Sequence, residues 1–212
     1  MAKVEKLVKT IIKWEAGVKS IEGESEQEMF ERAKAKGYAN DPIDSGGPTM
    51  VGVTIGTYRA YCRKKGSRVP DIEDLKRISY TEWLDILKTM FWDKVRADDI
   101  KSQSIANLCV NTVWGSGASY IKVIQKTAGA YPDGIFGPKT LEAINSQDPR
   151  ALFNKLWNRR KKFFEDIVKN DVERYEKRIG RPASEYEKKK YTKYRFLDGW
   201  LNRLNDFQFS DE

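Results

Sequence analysis

Apolar residues recur along most of this chain at spacings of three and four, the period of an α-helix buried on one side. Val4, Leu7, Val8, Ile11 and Ile12 define a stripe over residues 3–16, and Gly17 supplies a stop. Residues 24–36 predict a second, more polar helix that Ser25 can cap. The run from Gly37 to Pro48 (GYANDPIDSGGP) is dense in turn residues and reads as an ordered loop. Val51 to Ile55 (VGVTI) is short and β-branched, which predicts one small strand. Helices follow at 57–65, capped by Thr57, and at 82–91, opened by Thr81. Residues 103–113 carry Ile105, Leu108, Cys109, Thr112 and Val113 and predict a central buried helix.

Beyond Gly115-Ser116-Gly117 the pattern changes. A helix over 118–128 leads into the tight turn Tyr131 to Pro138 (YPDGIFGP), whose final proline suits the first turn of a helix over 139–145. Pro149 opens a long helix to about residue 169, with Leu152, Leu156, Phe163 and Ile167 on one stripe. A last helix over about 185–206 carries Tyr194, Leu197, Trp200, Leu201 and Leu204. No series of sheet-building strands and no internal repeat is present. The expected class is mainly α, a helical bundle with a small β element.

Composition narrows the chemistry. The 212 residues contain no histidine, so a Ser-His-Asp triad, a Cys-His dyad and His-ligated zinc are all excluded. Catalysis would fall to carboxylates, Tyr, Lys or Cys. Cys62 and Cys109 could bridge, but 46 residues separate them and both occupy apolar helix faces, which favours two buried free thiols. No metal site is expected, because acidic pairs such as Asp98-Asp99 are too sparse for a calcium loop. No apolar run approaches the roughly 20 residues that span a bilayer, so a soluble chain is expected. The amphipathic start (MAKVEK) does not read as a secretory leader.

Charge is uneven. Between Arg150 and Arg195 there are 16 Lys or Arg against 7 Asp or Glu, a local +9, while the whole chain carries +8. An anionic partner fits this segment, such as nucleic acid, a membrane or a wall polymer; so does the solvated face of long helices. No nucleic-acid reader motif accompanies it, and no nucleic-acid partner is expected.

Among the carboxylates, Glu15 stands apart. It extends the first stripe, at i+4 from Ile11 and i+3 from Ile12, and lies in the last helical turn at the negative end of the macrodipole. Both placements disfavour the charged form, which suits a side chain that donates a proton to a glycosidic oxygen. A glutamate whose stem merely packs at a helix end fits the position equally. A second carboxylate could come from Asp41 or Asp44, although both also suit turn chemistry.

The strings Ile12 to Gly17 (IKWEAG), Gly37 to Thr49 (GYANDPIDSGGPT) and Gly52 to Ile55 (GVTI) resemble the N-terminal signature of glycoside hydrolase family 108. That signature reads E-G-G-Y-x-N-x-P-x-D-x-G-G-x-T-x-x-G-[IV]-T. Phe91 to Asp98 (FWDKVRAD) is similar to the family's YWDxVRxD, and Tyr131 to Thr140 (YPDGIFGPKT) to the DGxxGPxT of its C-terminal peptidoglycan-binding region. Arg195 to Arg203 (RFLDGWLNR) is similar to the closing FLxGWxNR. The resemblance runs in order along nearly the whole chain. It departs at Ala16, at Met50 where the family often has Asn, and through an insertion at residues 18–36.

The resemblance implies an α+β lysozyme-like fold with its β element at the cleft. It also implies a catalytic region over residues 1–114 and a helical peptidoglycan-binding region over 115–212, packed into one body. It implies an N-acetylmuramidase, of the lysozyme, endolysin or secretion-activator type, that cuts the β-1,4 bond between N-acetylmuramic acid and N-acetylglucosamine. The alternative is a non-catalytic wall-binding or secretion-assembly protein. Carried over by position, Glu15 is the general acid, and Asp44 is the base for a water or the stabiliser of an oxocarbenium ion. Thr49 and Thr54 are hydroxyls that hold water or sugar, and Tyr38 can stack on a sugar ring. Trp14, Trp92 and Trp114 are expected to pack in the core. No cofactor is expected, the partner is the peptidoglycan glycan strand, and a monomer is expected. Action at the cell wall or periplasm would then require another export route or phage delivery.

Overall fold

The computed structural model describes residues 1–40 and 47–210. The chain divides into two compact units, Met1–Ala118 and Ser119–Glu212.

In the first unit, α1 (Glu5–Ala16) buries Leu7, Val8, Ile11 and Ile12, as the stripe predicts, and ends at left-handed Gly17. The polar α2 (Glu26–Lys34) starts in a capping box, in which Ser25 accepts from the Glu28 N–H while the Glu28 carboxylate accepts from the Ser25 N–H. Its buried face, Met29, Phe30 and Ala33, packs against α1. Three two-residue strands form an antiparallel sheet in the order β1 (Tyr38–Ala39), β2 (Thr49–Met50), β3 (Val53–Thr54). Then come α3 (Ile55–Lys65), α4 (Ile72–Lys76) and α5 (Tyr80–Ile86), and a π-helical stretch, Leu87–Trp92, continues α5. The centre is α6 (Gln103–Ser116), which is buried at every position from Ser104 to Val113 except Asn107. A helix buried nearly all round is one that its neighbours enclose.

Several boundaries differ from the pattern-based expectation. The run VGVTI is not one strand: Val51 and Gly52 form a tight turn joining β2 to β3. Helix α3 begins two residues earlier than expected, because the Thr54 hydroxyl rather than that of Thr57 takes the cap and accepts from the Thr57 N–H at 3.1 Å. Ser79 rather than Thr81 caps α5.

In the second unit, α7 (Ile121–Thr127) and α8 (Pro138–Asn145) flank the YPDGIFGP turn. Gln125, fully buried, anchors that turn: its amide reaches Asp133, the Ile135 carbonyl and Thr140, and its carbonyl accepts from the Gly134 N–H at 2.8 Å. Helix α9 (Pro149–Ile179) runs ten residues past its expected end. Its buried stripe does stop, at Val168, but strong helix formers and pairs such as Lys169–Glu173 carry it on to left-handed Gly180. Arg160 is buried on this stripe against the rings of Tyr120, Phe163 and Phe164. The expected last helix is broken in two, α10 (Glu185–Tyr191) and α11 (Leu197–Asn205), joined through a short 3-10 turn. The break lies at buried, extended Thr192, whose hydroxyl donates to the Lys188 carbonyl and accepts from the Tyr194 N–H.

Cys62 and Cys109 are free and buried, and burial pushes the Cys109 thiol up to about 12. Among the described residues no helix is long and apolar enough to cross a membrane. Among them also, no group of three or more Cys, Asp or Glu side chains is placed to hold a metal ion.

Candidate functional site

The site is assembled around the last turn of α1. Because Ile11 and Ile12 anchor the helix in the core, Glu15 falls at the edge of that packing and is half-buried. The Trp114 indole N–H, from the last turn of α6, donates to its Oε1 at 2.9 Å. On the other side lies Gly52, at the tip of the β2–β3 turn. A Cβ built on Gly52 would lie 2.5 Å from Glu15 Cγ, 2.6 Å from its Cδ and 2.8 Å from its Oε2. Any side chain there would force the Glu15 carboxyl group to move, and φ at Gly52 is +78°. The carboxyl group is therefore held between an indole donor and bare backbone.

The turn that provides this backbone is strained and tied down. Both central residues have positive φ, Val51 at 43° and Gly52 at 78°, the pattern that matches strand twist in a tight hairpin. For a β-branched residue such as Val51 this conformation is costly and persists only where the surroundings enforce it. Here they do. The Val51 N–H donates to the Gly37 carbonyl at 2.8 Å, and buried Trp83 donates its indole N–H to the Val51 carbonyl at 2.9 Å. Val51 itself is fully buried, with its Cγ2 packed so close to Gly37 that a Cβ there would come within 2.6 Å.

An aromatic cluster backs the carboxyl group. Trp114 meets Trp83 edge-on at 6.0 Å between centroids and packs against Phe91 at 4.6 Å. Phe91 is placed there by the π-helical stretch, whose wider turn shifts the register of side chains relative to an α-helix. Phe91 and Thr54 both line an open groove of about 700 Å³ in the first unit.

The sheet register sorts the remaining candidates. Thr49 pairs with Thr54 and with Ala39, so these three share one face. Tyr38 pairs with Met50, which pairs with Val53, so Tyr38 lies on the other face with two buried apolar residues. Its ring carries the Lys76 ammonium at 5.0 Å. The structure thus brings Thr49 and Thr54 together and places Tyr38 away from them. Thr49 donates its hydroxyl to the Gly47 carbonyl, and the Thr54 hydroxyl lies 3.1 Å from that of Thr57. Asp44, expected as the second carboxylate, and its alternative Asp41 lie outside the described residues.

Two of the three tryptophans behave unlike simple core residues. Trp92 is fully buried and donates to Asp98 at 2.7 Å. Trp14 is half-buried beside Lys13, and Trp114 is half-buried with its polar edge on Glu15. Sequence reasoning missed Trp114 because the two partners stand 99 residues apart on helices whose pairing no local pattern encodes. The close approach at Gly52 had one available signal, a glycine inside a β-branched run.

The family described as Glycosyl hydrolase 108 matches residues 8–117, and that described as Predicted Peptidoglycan domain matches residues 119–205. Among solved structures, one titled as that of Brucella abortus SagA is similar, with a TM-score of 0.60 and 24% identity over 84% of this chain and 90% of that one. At that identity the likeness speaks for the fold. A comparison with curated proteins finds no match.

Proposed function

Given that the chain belongs to the glycosyl hydrolase 108 family, with a predicted peptidoglycan domain behind it, we propose that it is an N-acetylmuramidase using Glu15 as its proton donor. The bond cut is the β-1,4 linkage following N-acetylmuramic acid in peptidoglycan. The observation that carries the reading is the clamp on Glu15, a carboxyl group fixed between the Trp114 indole and the Gly52 backbone.

Cleavage of a glycoside needs a proton delivered to the leaving oxygen as the C1–O bond breaks and positive charge develops on the sugar ring. A carboxyl group that wanders through its rotamers delivers poorly, whereas one held in place converts the encounter into an oriented, effectively unimolecular step. Trp114 supplies a donor and no acceptor, so the oxygen it contacts serves as the acceptor. In this reading the hydrogen is delivered from the side of Oε2, the oxygen that lies against the Gly52 backbone. After transfer, the indole N–H remains to stabilise the carboxylate that forms. Asp44 is assigned the second carboxylate role, activating a water or stabilising the oxocarbenium ion, on the strength of the motif. Thr49 and Thr54, on one sheet face, supply hydroxyls to a bound sugar or water. Tyr38 is given no sugar-stacking role in this reading, since it lies on the opposite face under Lys76.

Residues 119–205 support a second task, retention on the wall, with the cell wall as the place of action. The test is digestion of purified peptidoglycan followed by mass spectrometry of the fragments. Wild-type protein is expected to create new reducing ends on N-acetylmuramic acid, and Glu15→Gln to create none while still sedimenting with the wall. If wild-type protein sediments with the wall yet creates no new ends at any pH, the protein is a binder without muramidase activity.

A further inference from the structure

The groove lined by Thr54 and Phe91 carries more charge than a neutral sugar needs. Its wall includes Lys64, from the last turn of α3, and Lys94, just past the π-helical stretch, together with Thr57 and Thr89. Neighbouring lysines are neutralised: Lys65 pairs with Asp85 at 2.7 Å, and Lys88 bridges Asp93 and Asp98. Lys64 and Lys94 are exposed and form no salt bridge among the described residues, although Lys64 also acts on Asp85 through space and its ammonium rests 3.3 Å from the Thr89 carbonyl. Two cations on one partly apolar wall suit an anionic, partly apolar ligand.

The groove adjoins the surroundings of the site through two residues of its wall. Thr54 lies two residues from Gly52, and Phe91 packs on the tryptophan that holds Glu15. A ligand portion bound here would therefore belong to the molecule whose glycosidic bond lies at Glu15. In an intact strand the lactyl carboxyl group of N-acetylmuramic acid is locked in the amide bond to its peptide stem, so the charge next to the sugars is carried by the carboxylates of the stems. We propose that this groove binds the carboxylate-bearing peptide stem of the glycan through Lys64 and Lys94. The enzyme then discriminates for stem-bearing over stem-free strands. This rests on the function proposed above for the same site.

The test separates the two ideas by measuring binding without turnover. The full chain carrying Glu15→Gln is titrated with a soluble stem-bearing glycan oligomer, and with the same oligomer after an amidase has removed its stems and the lactyl carboxylates so freed have been capped as methylamides. Stem-bearing glycan should bind roughly three- to tenfold tighter, the scale two solvent-exposed ion contacts allow, and the difference should shrink at high salt. Adding Lys64→Gln and Lys94→Gln should bring the two affinities together, whereas Lys6→Gln, outside the groove, should leave them apart. Circular dichroism confirms that each variant is folded. Equal affinity of the Glu15→Gln chain for both oligomers, absence of binding to either, or a difference that survives the double lysine substitution overturns the proposal. So does equally tight binding of a glycerol-phosphate oligomer, which would mark the groove as a general anion site. Failure of the wild-type protein to cut peptidoglycan would instead count against the muramidase reading alone.

Discussion

Replacing Gly52 by alanine isolates the clamp on Glu15 from the stability of the fold. The new methyl group would lie 2.5–2.8 Å from three atoms of the Glu15 side chain, against an ordinary carbon–carbon separation of about 3.5–4.0 Å. Since those atoms belong to a flexible side chain, the carboxyl group yields by about 1 Å rather than the hairpin breaking. A misplacement of that size costs about a hundredfold in rate. The left-handed φ adds about 1–2 kcal/mol of backbone strain, which lowers the thermal midpoint by about 3–10 °C in a unit of this size. Gly66→Ala is the control. Its φ is +69°, and nothing lies within 4 Å of the added Cβ, so it suffers the same backbone penalty without touching the site. Turbidity clearing of wall suspensions and thermal melts should be run on both variants in parallel. Gly52→Ala should lose about two orders of magnitude in clearing rate and Gly66→Ala almost none, at similar midpoints. Near-wild-type clearing by folded Gly52→Ala, or an equal loss in Gly66→Ala, would refute the assignment of this contact to catalysis.

Trp114→Phe keeps the ring packing on Phe91 but removes the donor to Glu15; clearing should fall about ten- to a hundredfold with the fold intact, and an unchanged rate would remove Trp114 from the site. Glu187 is held down to about 2 by Arg181 and by the Ser184 cap, below its ordinary 4.5, so its contribution to stability is complete above about pH 4.5 and disappears as pH falls towards 2. The midpoint gap between wild type and Glu187→Gln should accordingly be present at pH 7 and close in that window; a constant gap down to pH 2 would contradict the linkage. Both thiols are buried and pushed up by burial, so neither should react with a colourimetric thiol reagent at pH 8 until denaturant is added. Stoichiometric labelling of the native protein would contradict that burial.

Much of the architecture was legible in one dimension, because helices that bury one stripe write their period directly into the chain. The stripe ending at Ile12 predicted α1 and put Glu15 at the edge of packing; Ser25 and the proline of YPDGIFGP marked helix starts where the structure has them. Family-like strings singled out Glu15, but not the contact it makes with Gly52. Local pattern misled where distant groups overrule it. The run VGVTI has the composition of a strand, yet it folds as a turn and a short strand because Gly37 and Trp83 seize both backbone groups of Val51 and hold it at positive φ. Helix α9 outran its apolar stripe because propensity alone can extend a helix into solvent, and Thr192 broke the next one through hydroxyl bonds that compete with helical ones.

Taken alone, the sequence determined the mainly helical class, the absence of imidazole chemistry and the position of Glu15 on its helix, since each depends on residue identity and near neighbours. Tertiary structure alone decided that the Trp114 indole meets that carboxyl group, that Gly52 leaves room for it, that Tyr38 faces away from Thr49 and Thr54, and that Lys64 and Lys94 share a groove wall. These are contacts between residues far apart in the chain. They depend on how helix axes and a three-strand register place side chains in space, which no local periodicity specifies.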